Sequence, residues 1–134
     1  MSLTAERVKG ILQDAKRASG PALRTFDKIA DKWELKPGER LALLGLPRST
    51  YFKYLKEPGA ARLSQDTLER ISYVLGIYKA LQILLPRKDA ANKWVRQPNK
   101  AAEFKGTSPL ALMLGGKVAN LYHVRRYLDG QRGW

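Results

Sequence analysis

Apolar residues recur at three- and four-residue spacing along most of the chain, the period of helices that bury one face. In residues 3–18 the apolar positions are Leu3, Val8, Ile11, Leu12 and Ala15, with Lys9, Lys16 and Arg17 outside. Ser2 or Thr4 can cap the start, and Ser19-Gly20-Pro21 is a stop signal. A second helix is predicted over 21–33, with Leu23, Phe26, Ile29, Ala30 and Trp33 on one face. Pro21 suits its first turn, where a missing N–H costs nothing. Leu35-Lys36-Pro37-Gly38-Glu39 breaks the pattern, and a short helix over 39–44 turns Leu41 and Leu44 inward. Ala42 is placed inward with them; Gly45 ends the helix, and Leu46-Pro47-Arg48-Ser49 leads into another helix over 47–57.

Two short helices joined by a glycine-containing turn form a helix-turn-helix pattern. Its second helix, PRSTYFKYLKE, is the candidate reader of DNA. With Phe52 and Leu55 as the buried stripe, Thr50, Lys53 and Tyr54 point away from the core. Ser49 and Tyr51 then lie on the flanks. Arg48, Lys53 and Lys56 give three positive charges, with no acid before Glu57. Hydroxyls and cations at the start of a helix can contact phosphates and base edges in a major groove. A solvated basic helix with locally packed tyrosines would show the same residues. The helix-turn-helix context favours DNA.

A loop at 58–62 precedes a long helix within 63–86, with Ser64 or Asp66 near its start. Leu68, Ile71, Val74, Leu75, Tyr78, Leu81, Ile83 and Leu85 supply more apolar surface than one face of a small bundle needs. Gly76 marks a point of close packing. Ile77, Leu81 and Leu84 serve either a dimer interface or the core. Helix-turn-helix proteins usually act as dimers, because half-sites ~34 Å apart set the register on DNA.

Pro86-Arg87-Lys88-Asp89 ends this helix and divides the chain into a DNA-binding and dimerisation region, 1–86, and a second region, 87–134. Trp94 with Pro98-Asn99 and Phe104-Lys105-Gly106 reads as an ordered loop pinned by two aromatics. Ser108-Pro109 opens a short helix in which Leu110, Leu112, Met113 and Leu114 fill one side. Gly115-Gly116 turns the chain into a last helix over 117–128. Val118, Leu121, Leu128 and either Val124 or Tyr122 face inward, with Arg125, Arg126 and Asp129 outward. Asp129-Gly130 is the predicted helix end, leaving Gln131 to Trp134 as a tail.

Composition narrows the function. The 134 residues make one domain of ordinary size or a small domain plus an appendage, and 44% hydrophobic content supports a real core. The net charge of +13 points to a polyanionic partner, nucleic acid first. Residues 87–134 carry ten basic and three acidic residues, net +7, and residues 1–86 carry fifteen and nine, net +6. A helix-turn-helix alone does not explain basicity that is densest in the last third. The chain has no cysteine and one histidine, His123. Disulfides and thiolate metal sites are therefore excluded, and no metal site or cofactor is expected. No paired carboxylates, no nucleophile–base–orienter set and no phosphate-cradling glycine loop is visible, so no catalytic residue is assigned and an enzyme is not expected. The N-terminus lacks the apolar stretch of a secretory signal, and the run 73–85 is interrupted by Lys79 and Gln82. A soluble, cytoplasmic protein without a membrane partner is expected.

Taken together, LLGLPRSTYFKYL, LERISYVLGIYKAL, the series W-x3-PN-x4-F-x-G-x-SPL-x2-M-x2-G and VRRYLDGQRG resemble the Xre/MbcA/ParS antitoxin family. The resemblance covers roughly residues 20–134 and is strongest from Trp94 to Gly133. It implies an all-α protein: an N-terminal helix-turn-helix bundle, then a small, mainly helical toxin-binding domain. It also implies a type II antitoxin encoded beside a RES-domain toxin that consumes NAD⁺. Such an antitoxin covers the toxin's active-site entrance and, alone or with the toxin, represses its own operon by binding double-stranded operator DNA; the homodimer is expected from the helix-turn-helix. By position, Thr50, Tyr51 and Lys53 fall in the family's DNA-reading helix. With their neighbours they give the candidate DNA contacts Arg48, Ser49, Thr50, Tyr51, Lys53 and Tyr54. Arg125, Arg126, Tyr127, Leu128, Asp129 and Arg132 fall in the family's toxin-facing end. For Arg125 and Arg126 a solvated helix face is the competing reading. For the whole chain it is a stand-alone helix-turn-helix regulator with a C-terminal dimerisation or sensing domain.

Overall fold

The computed structural model describes the backbone of residues 5–133 and the side chains of residues 17–133. The candidate caps Ser2 and Thr4, the apolar positions Leu3, Val8, Ile11, Leu12 and Ala15, and Trp134 at the end of the tail lie outside that description. Among the described residues the chain is all-helical, without a strand. No helix there is long and apolar enough to cross a membrane.

The first helix, α1, runs unbroken from Ala5 to Lys32. The stop expected at Ser19-Gly20-Pro21 does not occur. Pro21 still withholds a hydrogen bond from the preceding turn, but tertiary contacts at this point outweigh the loss. Ser19 is buried, and its Oγ accepts the Leu63 backbone N–H at 3.0 Å. Gly20 packs on the 3₁₀ turn Pro58–Ala60 so closely that a Cβ would lie 2.6 Å from the Pro58 carbonyl oxygen. The glycine is thus a contact point, not a terminator. Gly20→Ala forces backbone to move, at about 1–3 kcal/mol, against a helix-propensity gain of about 1 kcal/mol. A lower Tm is expected. Gly130→Ala is the control: it is also helical, with nothing within 4 Å of the added Cβ, and should gain about 0.5–1 kcal/mol. Thermal unfolding that moved both variants in the same direction would show that packing does not decide at Gly20.

The C-terminal half of α1 buries Leu23, Phe26, Ile29, Ala30 and Trp33, as the periodicity predicts. Helix α2 spans Pro37–Leu44, starting two residues before the expected Glu39. Pro37 occupies its first turn, and the Lys36 N–H donates to Glu39 Oε1 at 2.8 Å. Gly45 ends it with φ +68, a left-handed conformation that favours glycine. Helix α3 spans Arg48–Lys56. Helix α4 spans Gln65–Leu84 and is capped by Ser64, whose Oγ accepts the Thr67 N–H at 3.1 Å. Thr67 is buried and donates its hydroxyl to the Leu44 carbonyl at 3.0 Å, fixing the end of α2 to the start of α4.

The remaining chain folds back on this frame. Helix α5 is Lys88–Lys93, followed by a 3₁₀ turn at Trp94–Arg96. Helix α6, Pro109–Met113, has the expected cap: Ser108 Oγ accepts the Ala111 N–H at 3.1 Å. Gly116 reverses the chain at φ +87. Helix α7 spans Val118–Gln131 and lies along α4. It passes through Asp129-Gly130, where an end was expected. Gly130 is in the helix, and the positive φ of +80 belongs to Gly133.

Leu121, Val124 and Leu128 of α7 join Ile77 and Leu81 of α4 in one core shared by both halves of the chain. Ile77 and Leu81 are 0% and 1% exposed, so they are intramolecular core and not surface left for a dimer. Gly76 packs closely, as expected: the Arg125 guanidinium occupies the space where its Cβ would stand. Arg96 is a second tie. Its Nε donates to the Trp33 carbonyl at 2.7 Å, and one Nη donates to the Glu34 carbonyl at 2.6 Å and to Glu39 Oε1 at 2.7 Å. Burial raises the Glu39 pKa, but the Lys36 N–H and the Arg96 guanidinium outweigh it and hold the carboxyl below its ordinary value.

Candidate nucleic-acid and partner interfaces

Helix α3 lies within the expected 47–57, one residue shorter at each end, but has a different rotation. Tyr51 is buried, 1% exposed, while Phe52 is 43% exposed. The stripe toward the core is Tyr51 with the half-buried Tyr54 and Leu55, not Phe52 with Leu55. Tyr51 therefore cannot reach a base edge. Its phenol donates to Asp27 Oδ1 of α1. Arg40 of α2 donates to the same oxygen at 2.7 Å, to Asp31 Oδ1 at 2.8 Å and to the Leu35 carbonyl at 3.0 Å. One network thus joins α1, α2 and α3 and fixes the angle between the two helices of the motif. Burial and the bond to Asp27 push the Tyr51 phenol above its ordinary pKa. Burial works against the charge on Arg40, but its bonds to Asp31, Tyr51 and Asp27 prevail and raise its pKa.

With Tyr51 turned inward, the outward face of α3 consists of Arg48, Ser49, Phe52, Lys53 and Lys56, all exposed. Thr50 and Tyr54 sit half-buried at its margins. The sequence-based set Arg48, Ser49 and Lys53 thus shares one face, Thr50 and Tyr54 border it, and Tyr51 leaves it. Sequence reasoning misses Phe52, because hydrophobicity alone favours placing the more apolar ring in the core. A neighbouring acid on α1 able to satisfy a buried phenol was the available signal.

At the other end of the chain, Trp94, Phe104 and Tyr127 form an aromatic cluster. Trp94 and Tyr127 stack at 6.2 Å, and Phe104 meets both edge-on at 5.8 and 5.1 Å. Trp94 and Phe104 pin the loop as expected, and the third ring comes from the predicted toxin-facing set. Leu128 belongs to the core at 2% exposure and cannot face a partner directly. Arg125 does not point freely outward: it is half-buried over Gly76 and donates to Asp129 Oδ1 at 3.0 Å. Arg126 is exposed, 5.9 Å from the ring of Tyr122, which is itself 41% exposed. Arg132 is half-buried, its backbone N–H bonded to the Leu128 and Asp129 carbonyls. A cavity of about 380 Å³, lined by Glu103, Leu112, His123, Arg126 and Tyr127, opens beside this face. Among the described residues no three His, Cys, Asp or Glu side chains converge as a metal site would need.

Two family models match the chain in tandem. Residues 13–76 match the antitoxin Xre-like helix-turn-helix domain, and residues 80–133 match the antitoxin Xre/MbcA/ParS C-terminal toxin-binding domain. The chain is also 45% identical over 130 residues to the uncharacterized protein y4oB of Sinorhizobium fredii, covering 96% of this chain and 98% of that protein. The first match contains α2, α3 and the Asp27–Arg40–Tyr51 network; the second contains the aromatic cluster and α7. The chain therefore belongs to the Xre-family antitoxins, with a DNA-binding helix-turn-helix domain followed by a toxin-binding domain.

Proposed function

We propose that this antitoxin neutralises a RES-domain, NAD-degrading toxin by covering the entrance to its active site, and that it represses its own operon as a DNA-bound homodimer. The reading places both activities in the cytoplasm and assigns all catalysis to the toxin. The observation that carries it is the pairing, on one chain, of a basic outward face on α3 with a toxin-binding domain. Residues 1–86 hold the DNA and dimer functions and residues 87–134 the toxin function. On α3, Arg48, Ser49 and Lys53 make the central DNA contacts, with Thr50 and Tyr54 at the edge and Tyr51 setting the helix angle. On α7, Arg126 is the main toxin contact, beside Tyr127 and, just past the helix end, Arg132. Arg125 and Asp129 hold the shape of that surface, and Leu128 supports it from the core. Aromatic and arginine side chains next to a concavity are the types that dominate interface energetics.

Co-expression with the toxin gene beside its own tests the reading. Wild-type chain should relieve growth arrest. Lys53→Ala should still relieve it while weakening binding to the DNA upstream of the operon. Failure of the folded wild-type chain to relieve arrest would contradict the antitoxin role toward that toxin and leave the stand-alone regulator.

A further inference from the structure

We propose that Phe52 is a specificity-determining residue of the DNA interface, reading the C5-methyl group of thymine in the major groove. The inference rests on the reading above that α3 enters that groove. Phe52 is a large apolar ring, 43% exposed, in the middle of an otherwise basic and polar helix face. It is held there from two sides. The Arg48 guanidinium lies 5.2 Å from the ring centroid, and the Tyr51 ring meets it edge-on at 5.3 Å. Tyr51 is in turn fixed by Asp27 in the network that includes Arg40. A positioned ring loses little freedom on binding, which favours a specific contact over a loose one.

The surroundings indicate the occupant. Arg48, Lys53 and Lys56 make the rim strongly positive, and the chain as a whole is +13. A second copy of this face would bring like charges together, whereas duplex DNA supplies the phosphates those cations need. Inside the major groove the apolar feature is the thymine methyl, and contact from an apolar side chain is an established way of reading it. The division of labour follows from chemistry: the cations supply sequence-independent affinity and Phe52 supplies discrimination.

The test uses the full chain and the DNA upstream of its own gene, amplified with either dTTP or dUTP so that the second duplex lacks every thymine methyl. Wild-type chain should bind the uracil duplex more weakly, on the order of 10-fold. Phe52→Ala should bind both duplexes equally and keep the wild-type salt dependence, while Phe52→Leu should retain part of the preference. Lys53→Ala should weaken binding to both and reduce the salt slope by about 1. A wild-type chain indifferent to the methyls, or a preference that survives in Phe52→Ala, would overturn the role of Phe52. An unchanged salt slope in Lys53→Ala would instead overturn the placement of α3 on DNA.

Discussion

Tyr51→Ala is expected to cost about 3–5 kcal/mol, the range for deleting a buried aromatic ring. That is a large part of the roughly 5–15 kcal/mol that holds a domain of this kind together. The substitution empties the centre of the α1–α2–α3 junction and removes a donor to Asp27. Operator binding should be lost with it, because the angle of α3 depends on that junction. Tyr51→Phe keeps the ring and leaves Asp27 bonded to Arg40. It should cost about 1–2 kcal/mol and still bind DNA. Denaturant unfolding checks both values. The sign of the pH dependence is also defined. The folded phenol is raised above its unfolded value, so its contribution is fully present below pH about 10 and lost as pH rises toward the folded pKa. The alkaline loss of stability in the wild type should therefore be smaller in Tyr51→Phe. Equal alkaline behaviour of the two proteins would contradict the buried phenol–Asp27 bond.

Arg126→Glu is expected to weaken the toxin complex by about 30-fold or more, the loss of a hot-spot contact of about 2 kcal/mol. The chain itself should stay within about 0.5 kcal/mol of wild-type stability, since Arg126 is exposed and contributes no core surface. Arg125→Ala should behave differently. It removes the partner of Asp129 and uncovers Gly76 in α4, so its effect on toxin binding should come with a lower Tm. Titration calorimetry with purified toxin, alongside thermal unfolding, separates the two. Unchanged affinity in Arg126→Glu would move the toxin contact off this face of α7.

The helix-turn-helix was legible in the sequence because its signals are local: Gly45 at a helix end, Leu46-Pro47-Arg48-Ser49 leading into the next helix, Ser64 near the start of α4. The same holds for Ser108-Pro109 before α6. What could not be read depended on partners distant in sequence. Ser19-Gly20-Pro21 has the composition of a stop, yet Ser19 and Gly20 are the residues that let α1 meet Leu63 and Pro58. Asp129-Gly130 likewise reads as an end, but Asp129 pairs with Arg125 one turn back and the helix continues. The rotation of α3 turned on Tyr51 against Phe52, adjacent rings with opposite environments. Hydrophobicity favours burying phenylalanine; Asp27, twenty-four residues away, reverses the choice. The sequence leaves Ile77 and Leu81 open to a dimer interface or the core, because α7, whose residues join them in the core, lies some forty residues further along. The resemblance offers residues 125–132 as a candidate toxin-facing segment. The fold separates its exposed Arg126 from Leu128, which supports it from beneath.

Purified toxin from the neighbouring gene, titrated with this chain while NAD⁺ consumption is followed, tests the neutralising role most directly. Consumption should fall to background as the chain approaches the stoichiometry of the complex, and Arg126→Glu should shift that titration to higher concentration. Undiminished NAD⁺ consumption in the presence of excess folded chain would contradict the proposal that this antitoxin closes the active site of a RES-type toxin.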